Sequence, residues 1–347
     1  GTHGKTTTAS LIAWILESAA YNPGFLIGGI PLNFNVSARF TDSPYFVIEA
    51  DEYDTACFDK RPKFLHYHPA VLVINNLEFD HADIYQDLAA IQQQFHYLLR
   101  TIQGNGYVIY PDQDANVIEL IQQGCWSQMV NYNGLNSQWT AQLLHADGSS
   151  FAVYQHNKLM GTVTWSLLGR HNVHNALAAV AAATVVGVDI EVALQALVRF
   201  KNVRRRLEYI ACIAGITVYE DFAHHPTAIA TTLAGLRAKV GSSRIVVCME
   251  LGSYTMRYGA HKDTLLASLA AADLVYCRLQ QEHDAVQQLL SAAGIQVEFA
   301  VAELLASAVP ALCPGDHVVI MSNTNFDACK TQLVDALHAR YPGSDST

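Results

Sequence analysis

The sequence predicts an α/β fold in two domains, and three observations support that prediction. Apolar runs of strand length alternate with helical segments over most of the 347 residues. A glycine-rich polar stretch opens the chain and runs directly into a helical pattern. Hydrophobic residues make up 51% of the chain and charged residues only 15%, which is typical of well-packed globular domains. We place the domains at 1–202 and 203–347, because KNVRRRLEYI joins a completed helix to a new series of strands.

The first element is the stretch GTHGKTTTAS at residues 1–10. It leads into SLIAWILESAA, whose apolar residues recur at helical spacing, so it is predicted to form a helix N-terminus. Gly1 and Gly4 allow successive N–H groups to turn inward, and Lys5 adds a positive charge beside the helix dipole. This combination favours a bound di- or triphosphate, with Thr6 placed to coordinate magnesium. The phosphate-loop (P-loop) pattern G-x-x-x-x-G-K-[ST] is matched only in part, because its first glycine would precede residue 1, and we expect a strand upstream.

Strands and helices alternate through the rest of the first domain. YFVIEA and AVLVINNL are predicted to be buried parallel strands, GYVIYP a further strand, and DLAAIQQQFHYLLR and NVIELIQQG helices. Short alternating segments between residues 138 and 169, broken by ADGSS and HNK turns, predict a small antiparallel sheet. Two helices, at 174–186 and 190–200, complete the domain.

Five strand–helix pairs between residues 203 and 347 predict a doubly wound, Rossmann-like second domain. Its strands are ITVYEDFA, RIVVCMEL, DLVYCRL, QVEFAV and HVVIMSN, and CKTQLVDALHARY is its last helix. No G-x-G-x-x-G follows the first of these strands, so a dinucleotide is not the expected ligand.

Charge and cysteine content restrict the functional classes. The net charge is −10 and the longest basic run is 204–206, so a nucleic-acid surface is not expected. The seven cysteines are scattered and form no C-x-x-C, which favours reduced thiols in a cytoplasmic protein over a zinc or disulfide framework. No apolar run reaches the roughly 18 residues of a membrane span, so no membrane insertion is predicted. The oligomeric state is not indicated by the sequence.

Acidic clusters follow two of the predicted strands of the first domain. Carboxylates at strand ends behind a P-loop can reach a magnesium ion bound to nucleotide phosphates. Either cluster alone is typical of a solvated loop, but two clusters on strand ends that we expect to be adjacent favour a metal site. The ionisable residues concerned are Glu49, Asp51, Glu52, Asp54, Glu78, Asp80, His81 and Asp83.

Two later motifs carry further polar groups. GRHNVHNA opens a helix with Asn172 and Asn175, which can bind a purine or cover a phosphate, although Asn172 is equally suited to cap the helix. In YEDFAHHPTA, Asp221, His224 and His225 follow the first strand of the second domain. Doubly wound folds bind ligands at that edge of the sheet.

GTHGKTTT, EADE, NxExDH, GRHNVHNA and DFAHHPTA occur here in an order and spacing that closely resemble the Mur ligase family over the whole chain. The resemblance implies an ATP-dependent enzyme that joins an amino acid or peptide to the UDP-muramic acid precursor of the bacterial wall. It also implies a UDP-binding domain upstream of this sequence, a central ATPase domain and a Rossmann-like third domain. EYDTACFDKRPKFLHY is most like the branch that adds the murein tripeptide L-alanyl-γ-D-glutamyl-meso-diaminopimelate to UDP-N-acetylmuramate in peptidoglycan recycling.

The resemblance also implies roles for individual residues. Lys5, Glu49 and His81 are expected to be catalytic, with Thr6 and Glu49 holding one Mg²⁺ and His81 a second. One of the arginines at 204–206, for which we choose Arg205, is expected to reach the nucleotide with Asp221 as the domains close. The residues expected to bind ATP are Gly1, Thr2, His3, Gly4, Lys5, Thr6, Thr7, Asn172, Asn175, Arg205 and Asp221, and those expected to bind the amine substrate are His224, His225 and Arg257.

The sequence departs from the family pattern at three places. The family loop E-P-R-S-N-T-M-K reads ELGSYTMRYG, so Gly252 replaces an arginine for which Arg257 could compensate. The loop at 322–330 is also altered, to SNTNFDACK, and AIQQQFHYL lacks the lysine that many members carbamylate. The alanine-adding branch also lacks that lysine, so its absence need not mean inactivity. The changes at 252 and 322–330 concern recognition of the amine more than the chemistry of ATP.

Two other functions remain open at this stage. One is a ligase of the same architecture that adds free L-alanine to the same nucleotide sugar. The other is a non-catalytic nucleotide-binding regulator, which would keep Lys5 but need not keep Glu49, His81 and Asp221 together. A translocase acting on nucleic acid is disfavoured by the acidic charge.

Overall fold

The structure is a computed structural model that describes residues 1–252, 262–280, 284–324 and 326–343. The chain divides into two compact units, Gly1–Arg204 and Arg205–Thr347. The division lies close to the predicted domain boundary, which itself stays a prediction. Arg257 lies outside the described residues, so its expected role stays a prediction too. None of the described helices combines the length and the apolar character needed to cross a membrane.

The first unit contains five helices and eleven strands. In chain order they are α1 (Lys5–Ser18), β1 (Gly24–Leu26), β2 (Ala38–Arg39), β3 (Phe46–Ile48), β4 (Asp54–Ala56), β5 (Asp59–Pro62), β6 (Val71–Val73), α2 (Leu88–Leu99), β7 (Tyr107–Pro111), α3 (Ala115–Gln122), β8 (Gln128–Tyr132), β9 (Trp139–Leu143), β10 (Ser150–Gln155), β11 (Lys158–Thr164), α4 (Arg170–Val185) and α5 (Ile190–Val198). A 3-10 turn spans Lys63–His66.

These strands form three sheets, and two features differ from the sequence prediction. The orders are β2-β1-β3, β4-β5 and β11-β10-β9-β8-β7-β6. The antiparallel strands β9 to β11 are confirmed, but they continue the parallel strands in one mixed sheet of six. The strands predicted to be adjacent, β3 and β6, are instead edge strands of separate sheets. Local patterns show that a segment is a strand, but strand neighbours depend on tertiary packing.

Helix α4 lies at the centre of the first unit. It packs against α1, α5 and strands of the six-stranded sheet. Its residues from Ala176 to Ala183 are all buried, and six of these eight are alanines. A helix that is apolar on all sides is typical of a buried position. The small side chains allow its neighbours to approach closely, which brings the first turn of α4 beside the start of α1.

The second unit is a doubly wound sheet, as predicted. Its order is β12-β13-β17-β14-β15-β16, in which β13 to β17 are parallel and β12 is an antiparallel edge strand that the sequence analysis did not identify. The carboxyl ends of the parallel strands therefore share one edge. The elements are β12 (Glu208–Ile213), β13 (Ile216–Asp221), α6 (Pro226–Val240), β14 (Ile245–Leu251), α7 (Lys262–Ser268), β15 (Leu274–Leu279), α8 (Asp284–Ala292), β16 (Gln296–Glu298), α9 (Val301–Ala311), β17 (His317–Met321) and α10 (Asp327–Arg340).

Candidate active site

The glycine-rich stretch forms a tight loop that ends where α1 begins. Gly4 is the N-cap residue of α1 and has a φ of 79°, which favours glycine. A Cβ atom at Gly4 would lie 2.8 Å from Asn75 Nδ2 and would also collide with the side chain of Asn175. Because Gly4 has no side chain, no N-cap side chain accepts the N–H groups in the first turn of α1. The helix start therefore offers N–H groups and a positive dipole end to an anion.

The loop is held in place by the segment that follows β6. Asn76 binds the His3 backbone on both sides, since its Oδ1 accepts from His3 N at 2.7 Å and its Nδ2 donates to His3 O at 3.1 Å. Thr2 Oγ1 accepts from the backbone N of Glu78 at 2.8 Å. The sequence analysis assigned no role to Asn76, although it lies at the first position of the NxExDH motif.

A buried ion pair lies beside the loop. Lys5 Nζ is 2.7 Å from Glu52 Oε2 and 3.8 Å from Asp51 Oδ1, and His81 Nε2 is 3.8 Å from the same Glu52 oxygen. Burial would raise the pKa of Glu52, but Lys5 holds that pKa well below its ordinary value. Burial likewise opposes the charge of Lys5, yet Glu52 and Asp51 raise its pKa overall. Both groups are therefore charged near neutral pH.

Glu49 occupies a second position at the start of α1. Its Oε1 accepts from Thr6 Oγ1 at 2.7 Å, and its Oε2 accepts from the backbone N of Gly28 at 2.6 Å. The structure thus brings together the two residues that we expected to hold one magnesium ion. Thr7, the next predicted ATP-binding residue, is buried in the same turn.

The residue expected to hold a second ion, His81, lies with Asp51 and Glu52. The ligand atoms of these three residues all lie within 4.8 Å of one another. Carboxylate and hydroxyl oxygens are hard donors of the kind that Mg²⁺ prefers, so Thr6 and Glu49 fit that ion by their chemistry. At the second position Asp51 and Glu52 supply such oxygens, whereas His81 supplies a nitrogen donor, which suits Mg²⁺ less well. The sequence analysis named Asp51 and Glu52 among the acidic residues but could not tell which carboxylate would face Lys5.

Asn172 and Asn175 lie in the first turns of α4, where they contact the protein itself. Asn175 Nδ2 donates to Asn172 Oδ1 at 3.2 Å, and Asn172 Nδ2 donates to Leu168 O at 2.7 Å. Thr8 Oγ1 of α1 donates to Asn175 Oδ1 at 3.3 Å. These contacts join α4 to α1 beside the loop, while the expected nucleotide contacts of both asparagines stay predictions.

In the second unit, Asp221 ends β13 and organises the backbone around it. Its two carboxylate oxygens accept from the backbone N of Leu207 at 2.6 Å and of Ala223 at 2.7 Å. Burial raises the pKa of Asp221, although Arg206 and Arg205 oppose this effect. In this arrangement Asp221 fixes the segment that enters the second unit.

Arg205 and Glu250 hold the loop that follows β17. The Arg205 guanidinium forms an ion pair with Glu220 at 3.0 Å and donates to Ser322 O at 2.6 Å and Thr324 O at 2.8 Å. The buried carboxylate of Glu250 accepts from Ser322 Oγ at 3.3 Å and also from Thr324 Oγ1. The same carboxylate forms an ion pair with the guanidinium of Arg278 on the neighbouring strand β15. Whether Arg205 also contacts a nucleotide stays a prediction.

The two predicted substrate histidines lie at the start of α6. His225 is its N-cap, and its Nδ1 accepts from the backbone N of Thr227 at 3.2 Å. His224 Nδ1 lies 3.1 Å from the backbone oxygen of Phe222. Pro226 follows as the first helical residue, a position that suits its fixed φ. Both histidines therefore have local structural roles, and their contact with an amine substrate stays a prediction.

The departures from the family pattern at 252 and in the loop after β17 are coupled. A Cβ atom at Gly252 would collide with the Cγ2 methyl of Thr324 and would lie 3.1 Å from Asn323 Oδ1. Thr324 thus occupies the space that a side chain at 252 would need. A side chain at 252 could fit only if the side chain of Thr324 moved.

Comparison with known proteins agrees with this geometry. Residues 1–183 match the domain family described as Mur ligase middle domain, and residues 205–324 match the Mur ligase, glutamate ligase domain. The chain belongs to the Mur ligase family. The two domain matches confirm the resemblance that was inferred from the sequence motifs.

Two curated relatives carry the name UDP-N-acetylmuramate–L-alanyl-γ-D-glutamyl-meso-2,6-diaminoheptandioate ligase. The protein from Escherichia coli (strain K12) is 49% identical over 343 residues, which is 97% of this chain and 74% of the relative. The protein from Haemophilus influenzae is 46% identical over 97% of this chain and 75% of the relative. A crystal structure of a murein peptide ligase from Psychrobacter arcticus is 39% identical, with a TM-score of 0.73 over 97% of this chain and 76% of that one.

Proposed function

We propose that this Mur ligase is an ATP-dependent ligase that joins L-alanyl-γ-D-glutamyl-meso-diaminopimelate to UDP-N-acetylmuramate. The observation that carries the proposal is the identity of 49% and 46% to two ligases named for that reaction, in each case over 97% of this chain. Six relatives named UDP-N-acetylmuramate–L-alanine ligase are 32% to 35% identical. The tripeptide is therefore the preferred amine substrate, and free L-alanine is the second candidate.

The chemistry requires activation of a carboxylate. A carboxylate does not react with an amine, because its leaving group would be an oxide. Transfer of the γ-phosphoryl group of ATP to the muramoyl carboxylate gives an acyl phosphate and ADP. The amine of the peptide then attacks the carbonyl carbon, and the tetrahedral intermediate loses phosphate and a proton to leave the amide.

The described residues suit the first of these steps. The N–H groups at the start of α1 bind phosphate oxygens, and the Lys5 ammonium neutralises charge on the β- and γ-phosphates. Thr6 with Glu49 would hold one Mg²⁺, and His81 with Asp51 and Glu52 a second. When bound, magnesium neutralises the negative charge that develops on the phosphoryl group.

Lys5 must exchange partners for this to happen. Its ammonium is held by Glu52 at 2.7 Å, and a triphosphate offers it a stronger anionic partner. Glu52 is then released to face a cation together with His81.

We also propose that the enzyme acts in the cytoplasm, where ATP and nucleotide-linked sugars are found, and that it serves peptidoglycan recycling.

Competition between amines tests the proposal. The full-length protein, with any segment that precedes residue 1, is given UDP-N-acetylmuramate, magnesium-ATP and equal concentrations of the tripeptide and L-alanine, and the products are separated by mass spectrometry. We expect the tripeptide product to dominate, because the remote carboxylates of the tripeptide supply binding energy that alanine lacks. Equal or greater incorporation of alanine would assign the protein to the alanine-adding branch. ATP binding without any amide product would instead favour the non-catalytic regulator.

A further inference from the structure

The side chain of Asn75 joins three parts of the first unit that meet at the glycine-rich loop. Its Nδ2 lies 2.9 Å from Thr8 Oγ1 in α1, 3.3 Å from His3 O in the loop and 3.4 Å from Asn175 Oδ1 in α4. The two hydrogens of one amide nitrogen are thus shared among three acceptors. Asn75 precedes the NxExDH motif and was not assigned a role from the sequence.

The contact with His3 determines the orientation of the next peptide group. The peptide bond between His3 and Gly4 is trans, as are all peptide bonds in the described residues. In a trans peptide the C=O and the following N–H point in opposite directions. Since Asn75 and Asn76 both hold the His3 oxygen, the Gly4 N–H is directed away from these two amides.

This orientation matters for an anion at the start of α1. A phosphate is attracted by N–H groups and repelled by carbonyl oxygens, so a loop that binds phosphate must keep its carbonyl groups turned outward. Were the His3–Gly4 peptide to flip, the His3 carbonyl would take the place of the Gly4 N–H. The left-handed backbone of Gly4, with its φ of 79°, makes such a flip accessible, because glycine tolerates several conformations.

The other two contacts of Asn75 Nδ2 hold this side chain in place against α1 and α4. Thr8 lies one turn beyond the loop in α1, and Asn175 belongs to the buried helix α4, so Asn75 ties the His3–Gly4 peptide to two helices. Among the described residues Asn76 lacks that connection, because its side chain forms both of its hydrogen bonds with the His3 backbone. Asn75 Oδ1 is buried and accepts no hydrogen bond from the described residues. Asn75 therefore forms its side-chain hydrogen bonds with the described residues through Nδ2.

We propose that Asn75 is a positioning residue, which holds the glycine-rich loop in its phosphate-binding conformation without contacting the substrate. The inference rests on the proposed function only in assuming that this loop binds the phosphates of ATP. It does not depend on which amine the enzyme joins. A different amine in the competition experiment would therefore leave it intact.

Binding of two anionic probes tests the proposal. We measure the dissociation constants of magnesium-ATP and magnesium-tripolyphosphate by calorimetry for the original protein, Asn75→Ala and Asn75→Thr, at a temperature at which circular dichroism shows all three to be folded. Loss of two hydrogen bonds of ordinary strength predicts that Asn75→Ala weakens both ligands about 10-fold. Asn75→Thr keeps one hydroxyl donor and should lose about 3-fold, which also keeps the test valid if the alanine variant does not fold.

Asn105→Ala is the matched control, because Asn105 is an exposed asparagine in a turn of the same unit. It should leave both affinities unchanged. A purely structural role for Asn75 would lower the unfolding temperature without changing either affinity of the folded protein, and this result would overturn the proposal. Loss of ATP binding with unchanged tripolyphosphate binding would also overturn it, since Asn75 would then act on the base or the ribose.

Discussion

The start of α1 and the strand edge around Glu250 each bring a buried carboxylate to a basic side chain, yet they differ in what else the carboxylate binds. Glu52 faces Lys5 and lies 3.8 Å from His81, in a cluster that also contains the half-exposed Asp51. Glu250 is completely buried and binds Arg278 together with donors from the loop after β17. The first pair can exchange partners, whereas the second is already saturated by the protein.

The difference shows that a buried ion pair does not by itself indicate a ligand-binding site. At α1 the basic group lies beside helix N–H groups that no side chain caps, so an anion can compete for it. At the second edge the basic groups hold backbone oxygens and strand ends, as Arg205 does with Ser322 and Thr324. We therefore expect substitutions at the first pair to change activity and substitutions at the second to change stability.

The largest effect is expected for Lys5→Met. Without the ammonium, kcat/KM for ATP should fall about 1000-fold, as on removal of a group that stabilises developing charge. The folded protein should also lose about 3 kcal/mol, because Glu52 is left buried without its main partner. Steady-state release of phosphate and urea unfolding measure the two effects.

The double variant Lys5→Met with Glu52→Gln separates these effects. It should recover most of the lost stability, because no buried charge remains unpaired, but it should recover none of the activity. Equal stability of the single and the double variant would show that Glu52 is not an unpaired charge in the absence of Lys5. That result would contradict the comparison drawn above.

Glu250→Gln is expected to have a smaller effect, which lowers stability and leaves ATP binding unchanged. Arg278 would lose its carboxylate, and since this guanidinium is partly exposed, the cost should be about 2 kcal/mol, below that of a fully buried pair. The affinity for magnesium-ATP should be unchanged. Calorimetry measures this affinity, and urea unfolding measures the loss of stability. Weaker ATP binding with unchanged stability would mean that the two pairs do not differ as proposed.

The effect that leaves stability at neutral pH unchanged concerns the pH dependence of stability and His174 of α4. Burial, with a smaller contribution from Arg170, lowers the pKa of His174 from 6.5 to about 4. The unfolded chain therefore binds a proton at this histidine near pH 6.5, whereas the folded chain does so only near pH 4. This contribution to stability should be fully present above pH 6.5 and be lost progressively, by up to about 3 kcal/mol, as the pH falls through pH 4.

His174→Gln should remove that part of the pH dependence in urea unfolding between pH 7 and pH 4, relative to the original protein. His317 in the second unit serves as the control. Burial lowers its pKa too, but Asp316 opposes the shift. His317→Gln should therefore flatten the profile less than His174→Gln, and the reverse order would contradict the assignment.

Several parts of the fold followed from local pattern. The glycine-rich turn before α1, α1 itself and the five strand–helix pairs of the second unit have strong periodicity or glycine signals, and the structure confirms these elements. The hairpin of β4 and β5 was missed because DTACFDKRP contains charges and a proline in place of alternating apolar residues. Strand β12 was interpreted as a domain junction, since RLEYIACI follows a basic run.

The sequence by itself determined the family, the fold class and the chemical types at the site, because motifs and periodicity are local properties of the chain. Only the tertiary structure decided which carboxylate faces Lys5, that Asn75 clamps the loop, and that Thr324 fills the space beside Gly252. Each of these contacts joins residues more than 40 positions apart in the chain. Such pairings depend on how α1, α4 and the strands pack, and side-chain packing has no local signature in sequence.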